Sequence, residues 1–169
     1  MSDTAFDRVM ASTNSALIVV TTTAENEKAG CLVGFHSQSS ISGNHYCVWL
    51  SKANHTYRVS LRATHFAAHF LTEHDFALAR RFGTRSGGHT DKFSDLDLDE
   101  EPNGVPLLRA CPNKMVLKRL SVLDDGGDHV CVTTQATSTH TGGPFTPLRL
   151  SDVGHLTPGH EAEERAIRP

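Results

Sequence analysis

The run Ala16-Leu17-Ile18-Val19-Val20 passes straight into Thr21, Thr22 and Thr23, and no other feature limits the fold more. β-Branched side chains dominate it, and its apolar part is too short for a buried helix, so it predicts a buried strand. Comparable short runs recur at residues 29–35, 46–50, 64–71, 114–123 and 129–136, between turn-forming segments. A further short strand is expected near residues 146–150. Helical spacing is confined to residues 3–12, 54–62 and 72–82, so strands and helices do not alternate as βαβ units. The expected class is mainly β, a barrel or sandwich with accessory helices.

Each helix carries a local signature. Phe6, Val9 and Met10 make an apolar stripe on the first, and Asn54 caps the second, where Tyr57 and Leu61 stand four apart. Thr72 with Asp75 three residues on has a capping pattern, ahead of a stripe formed by Phe76, Ala79 and Phe82. Residues 64–71 pose a choice. On a helix His65, His69 and Glu73 would stack as metal ligands, but Phe66, Ala68 and Phe70 alternate as on a strand. A strand sets His65 about 13 Å from His69, too far to share one ion. Gly30 and Gly34 leave room for close approach of another backbone or a flat ligand. Residues 83–104, rich in Gly, Asp and Ser, are expected to form a long surface excursion.

A chain of 169 residues that is 38% apolar supports one core, and its composition shows no linker. Net charge is −3, which disfavours a broad nucleic-acid surface. The sequence contains neither a membrane-length apolar run nor a basic-then-apolar leader pattern, so a cytoplasmic protein is expected. Cys31, Cys47, Cys111 and Cys131 form no close pair, and each lies in or beside an apolar segment. Buried thiols are favoured over a zinc site. No metal site is assigned to the 11 histidines.

Two segments carry candidate chemistry. Hydroxyls and backbone N–H groups at residues 34–42, with Ser51, Lys52, Asn54 and Thr56, could surround a phosphate, or form a polar loop and a helix cap. Neither GxxxxGK[ST] nor GxGxxG is present, so a P-loop or Rossmann site is not indicated. Gly127-Asp128-His129 places a histidine at a turn-to-strand junction, facing either a ligand or solvent. Gx-Ser-xG is absent, and no Ser-His-Asp triad is assigned.

The ordered series Ala29-Gly30-Cys31-Leu32-Val33-Gly34-Phe35-His36-Ser37-Gln38-Ser39-Ser40-Ile41-Ser42, Leu50-Ser51-Lys52-Ala53-Asn54-His55-Thr56-Tyr57, Phe66 through Leu71, Ala79-Arg80-Arg81-Phe82, Asp91-Lys92-Phe93, Val105-Pro106-Leu107-Leu108 and Gly127-Asp128-His129 resembles the flavin reductase-like, FMN-binding split-barrel family. The resemblance spans about residues 6–136 and implies a six-stranded Greek-key split β-barrel with accessory helices. It implies a homodimer that binds FMN near its interface, and Leu17, Val19, Val33, Val48, Phe66 and Val132 as core. The domain is taken as residues 1–160, with 161–169 a charged tail.

The implied activity is a flavin-dependent reductase, with NADH or NADPH reducing bound FMN. Electrons then pass to oxygen, free flavin or a partner monooxygenase. The alternative is a non-catalytic carrier of flavin, F420 or haem. Position by position, Ser37, Gln38, Ser39 and Ser40 occupy the flavin-contacting loop. Ser51, Lys52, Asn54 and Thr56 occupy the segment that holds the phosphate or ribityl chain. Phe82 takes the place of an aromatic near the cofactor, and His129 that of the catalytic-site histidine facing the nicotinamide. Gln38 stands where a small hydroxyl residue is usual, Gly43-Asn44 replaces a proline pair, and Thr134 replaces a glycine. The ending around residues 148–150 lacks the family's aromatic closing strand.

Overall fold

The computed structural model describes residues 3–84, 91–154 and 156. The proposed tail at 161–169 lies outside these residues, as does part of the 83–104 excursion. Helix α1 (Ala5–Thr13) opens with a capping box, in which Thr4 Oγ1 accepts from the Asp7 amide at 3.1 Å and the Asp7 carboxylate accepts from the Thr4 amide at 3.0 Å. Those bonds from Thr4 hold the Asp7 carboxyl below its ordinary range. Phe6, Val9 and Met10 are exposed, so the stripe on α1 joins no core among the described residues.

Strands β1 (Ile18–Ala24) and β2 (Glu27–Val33) form a hairpin whose two-residue turn, Glu25-Asn26, has φ of 51° and 64°. Left-handed backbone at both positions matches the twist of the strands, so Glu27 and Lys28 already belong to β2. Then come β3 (His36–Gln38), β4 (His45–Ser51), α2 (His55–Ser60), β5 (His65–Phe70) and α3 (Phe76–Thr84). Strands β6 (Leu98–Glu100), β7 (Pro106–Leu108), β8 (Lys114–Leu123) and β9 (His129–His140) follow, ahead of a 3-10 turn at Leu150–Val153.

One sheet runs in the order β2-β1-β5-β8-β9-β4-β3, with every pair antiparallel, and β6 and β7 form a separate ribbon. The edge strands β2 and β3 are consecutive in the chain, separated only by Gly34 and Phe35. That connection spans at most about 10 Å, so the sheet has to curl until its edges nearly meet. The result is a split half-barrel built on the six expected long strands, with β3 as an added edge.

Alternation along the strands makes two cores. Inside the barrel lie Ile18, Val20, Cys31, Val33, Val48, Leu50, Phe66, Leu117, Val130 and Val132, closed by Val59 of α2. Outside, Leu17, Val19 and Leu71 pack under Ala79 and Phe82 of α3. The six residues expected in the core are all at most 4% exposed. Within residues 64–71, His65–Phe70 do form a strand rather than a helix, and His69 within it is wholly buried. Leu108 N–H donates to His69 Nε2 at 3.0 Å, so Nδ1 carries the proton and donates to the Val19 carbonyl at 3.1 Å. The ring thereby ties β1, β5 and β7 together. All four cysteines are buried free thiols.

Three expectations change. The close approach at Gly30 comes from this chain itself: a Cβ there would meet the Phe82 ring at 2.9 Å and Phe93 at 3.2 Å. The 83–104 segment is anchored within its described part rather than lying wholly on the surface. Lys92 is buried, and its ammonium donates to Gly30 O at 2.9 Å and Phe82 O at 3.1 Å. Burial lowers its pKa. A long stem lets lysine cross apolar packing once its head finds acceptors. Finally, residues 146–150 make only the isolated bridges Thr72–Pro147 and Ala16–Arg149, since Pro147 brings no N–H to a ladder.

Candidate functional site

The antiparallel pairing of β4 with β9 sets Ser51 opposite His129, so the end of one strand meets the start of the other. The 124–128 turn closes over this junction. Its Asp128 carbonyl accepts from the Lys52 amide at 2.9 Å, and Asp124 Oδ1 takes the Lys52 ammonium at 2.9 Å. Asp124 Oδ1 also accepts from the Gly126 amide at 2.8 Å, in an Asx turn. The Lys52 contact, then the Gly126 amide, holds the Asp124 carboxyl below its ordinary range.

His129 is fixed by the same turn. Its Nδ1 lies 2.6 Å from Asp128 Oδ1, and an ionised carboxylate only accepts, so Nδ1 carries hydrogen. The Phe35 ring lies 5.0 Å from the imidazole, tilted by 54°, and Phe35 is 58% exposed. Phe35 O accepts from Trp49 N at 2.9 Å, which holds the aromatic against β4. Ser51, Lys52, His129 and Phe35 thus share one end of the sheet.

The hydroxyl-rich segment leads away from Phe35 along β4. Ser37 pairs with Cys47, four residues before Ser51, or about 13 Å along the strand. Ser37, Gln38 and Ser39 are exposed and Ser40 partly so. The loop is self-bonded: Ser37 Oγ donates to Gln38 O at 2.8 Å, Gln38 Nε2 to Ser40 O at 2.9 Å, and Ser40 Oγ to Ser42 O. Gly43 and Asn44 have φ of 82° and 53°, conformations closed to the proline pair they replace. Thr134, in place of glycine, is buried and satisfied by donating to Tyr46 O at 2.8 Å.

Thr56 and Phe82 are not brought to this face. Thr56 is buried on the inward side of α2 with Val59 and Ser60. Phe82 is 1% exposed and packs edge-on to Phe93 at 5.6 Å. Asn54 is the N-cap of α2, with its amide bonded to Ser51 O at 3.0 Å.

Phe35 lay inside the candidate 34–42 segment but was not singled out as a site residue, and neither was Asp124. Nor was the pair His36–Tyr46, with Nδ1 2.6 Å from the phenol and Nε2 2.7 Å from the Ala16 carbonyl. The carbonyl only accepts, so Nε2 carries the proton and Tyr46 donates to Nδ1. Burial lowers the His36 pKa and pushes Tyr46 up to about 12, keeping both neutral. A surface cleft of about 460 Å³ lies elsewhere, lined by Thr72, Glu73, His74, Pro144, Phe145 and Thr146. It offers a carboxylate and no lysine or arginine, a poor match to an anion.

The Lys52 end has a different donor set: an ammonium and an exposed aromatic beside an oriented imidazole, with exposed hydroxyls about 13 Å along β4. That chemistry fits a ligand carrying a phosphate, a polyol chain and a flat ring, as FMN does. The described helices include none long and apolar enough to cross a membrane.

The flavin reductase-like domain family matches residues 10–152, and the chain belongs to that family. A putative oxidoreductase from Sinorhizobium meliloti superposes with a TM-score of 0.77 at 19% identity, over 88% of this chain and 51% of that one. This chain therefore spans about half the length of that relative. An FMN-binding protein from Thermus thermophilus, with bound 1-cyclohex-2-enone, gives 0.70 at 22% identity, covering 76% and 71%. Nitrilotriacetate monooxygenase component B from Mycobacterium thermoresistibile gives 0.74 at 21%, covering 85% and 78%.

Proposed function

We propose that the protein is an NAD(P)H-dependent flavin reductase that holds FMN along the outer side of β4. The observation that carries this reading is the convergence of Lys52, His129 and the exposed Phe35 at one end of that strand. Ser37, Gln38, Ser39 and Ser40 would hold the flavin ring and chain, and Ser51, Lys52 and Asn54 its phosphate end. Thr56 and Phe82 are buried in the packing of α2 and α3 and are given no direct contact with the flavin in this reading. Bound FMN supplies hydride acceptance and electron transfer. The protein's part is to bind and orient. His129 presents its Nε2 side to the nicotinamide while Asp128 fixes the ring, and Phe35 shields the same surface from water.

Electrons would pass on to oxygen, free flavin or a partner monooxygenase, the last favoured by the name of the Mycobacterium relative. Purified protein mixed with FMN is expected to retain it and to perturb its absorption and fluorescence. Perturbation by haem or F420 but not FMN would favour a carrier, and no response to any of them would overturn the assignment.

The protein would act as a homodimer. Exposed Phe6, Val9 and Met10 on α1, and Leu120 and Leu123 on β8, are apolar surface that a second copy would cover. Sedimentation at micromolar concentration is expected to give twice the 18.4 kDa of one chain. A single-chain mass would remove the dimer.

A further inference from the structure

We propose that Asp124 is a built-in competitor for the phosphate anchor, loosening the site's hold on phosphate-bearing flavins. This rests on the reading of Lys52 as that anchor. The 124–128 turn brackets Lys52, with Asp124 on its ammonium and the Asp128 carbonyl on its amide. The Lys52 side chain is 18% exposed and that of Asp124 is 48% exposed. The lysine is therefore the more buried partner, and the carboxylate is the one that water reaches. An ion pair whose carboxylate is half in water is weak, so an incoming phosphate dianion can displace that carboxylate. An ammonium has three donors, and a phosphate gains most from them once the carboxylate has left. Riboflavin has no phosphate and gains nothing from that exchange. Asp124 thus lowers affinity only for flavins that reach Lys52 with charge, and it makes them easier to release.

The test compares FMN and riboflavin dissociation constants, and FMN release rates, for the parent, Asp124→Asn, Asp125→Asn and Lys52→Ala proteins. Asparagine keeps an oxygen for the Gly126 amide, so the turn is retained, and thermal melting checks it. Asp125→Asn removes the same charge from a residue bonded to Gly127 rather than to Lys52. D124N is expected to bind FMN about two- to fivefold more tightly, with slower release, while riboflavin binding stays unchanged. D125N should do less. K52A should weaken FMN about 10- to 150-fold and riboflavin far less. If K52A behaves so but D124N matches the parent, or D125N matches D124N, the competitor role is overturned while the anchor stands. If K52A weakens both flavins equally, the anchor falls and the competitor with it.

Discussion

Replacing His69 with leucine is expected to destabilise the protein by about 2–5 kcal/mol, because the buried Leu108 N–H loses its acceptor and the Val19 carbonyl its donor. Leucine nearly preserves volume, so the loss comes from polar groups left unpaired in the core rather than from a cavity. The parent carries a pH signature of the same ring. Burial pulls the His69 pKa down to about 4 from 6.5. The unfolded chain binds a proton below about pH 6.5, whereas the folded one does so only near pH 4, so stability falls as pH drops through that window. The difference amounts to about 3 kcal/mol. Urea unfolding of both proteins at several pH values checks this. A loss below about 1 kcal/mol at pH 7, or the same acid slope in parent and variant, would contradict it.

His129→Ala is expected to slow reduction of FMN-saturated protein by NADH or NADPH about 10- to 100-fold, since hydride transfer depends steeply on alignment of donor and acceptor. Stability and FMN affinity should change little, because the imidazole bonds to Asp128 in an exposed turn and touches Phe35 rather than the core. In the proposed role His129 orients the donor, so Asp128→Asn, which removes the carboxylate that fixes Nδ1–H, should give a smaller loss in the same direction. Anaerobic stopped-flow reduction at saturating FMN separates the rate from binding. An unchanged rate and donor dependence in H129A would remove the positioning role and leave the flavin site intact.

The barrel was legible because strand alternation and burial follow one rule. Val19, Val33, Val48 and Val132 lie in short β-branched runs, and those runs are the core. The site was legible only in part. Lys52 and His129 could be named from the family's motifs, yet their proximity depends on the register of β4 against β9. Asp124 looked like an ordinary turn residue, because nothing local shows that a carboxylate 72 positions away lies on Lys52. The burial of Thr56 and Phe82 follows helical phase: at i, i+3 and i+4 spacing, Thr56 joins Val59 and Ser60 on the inward side of α2, as Phe82 joins Ala79 on α3. Lys92 was named only within a motif and its burial was not foreseen, because lysine is rarely buried without partners, and its partners are the backbone carbonyls of Gly30 and Phe82.

The proposed activity stands on whether a nicotinamide donor reduces flavin held by this chain. Protein saturated with FMN under anaerobic conditions, mixed with NADH and separately with NADPH, is expected to lose the flavin absorption near about 450 nm with at least one donor. The loss should be far faster than for the same FMN free in buffer. Bleaching no faster than that of free FMN, with either donor, would contradict the account and leave a flavin-binding barrel without reductase activity.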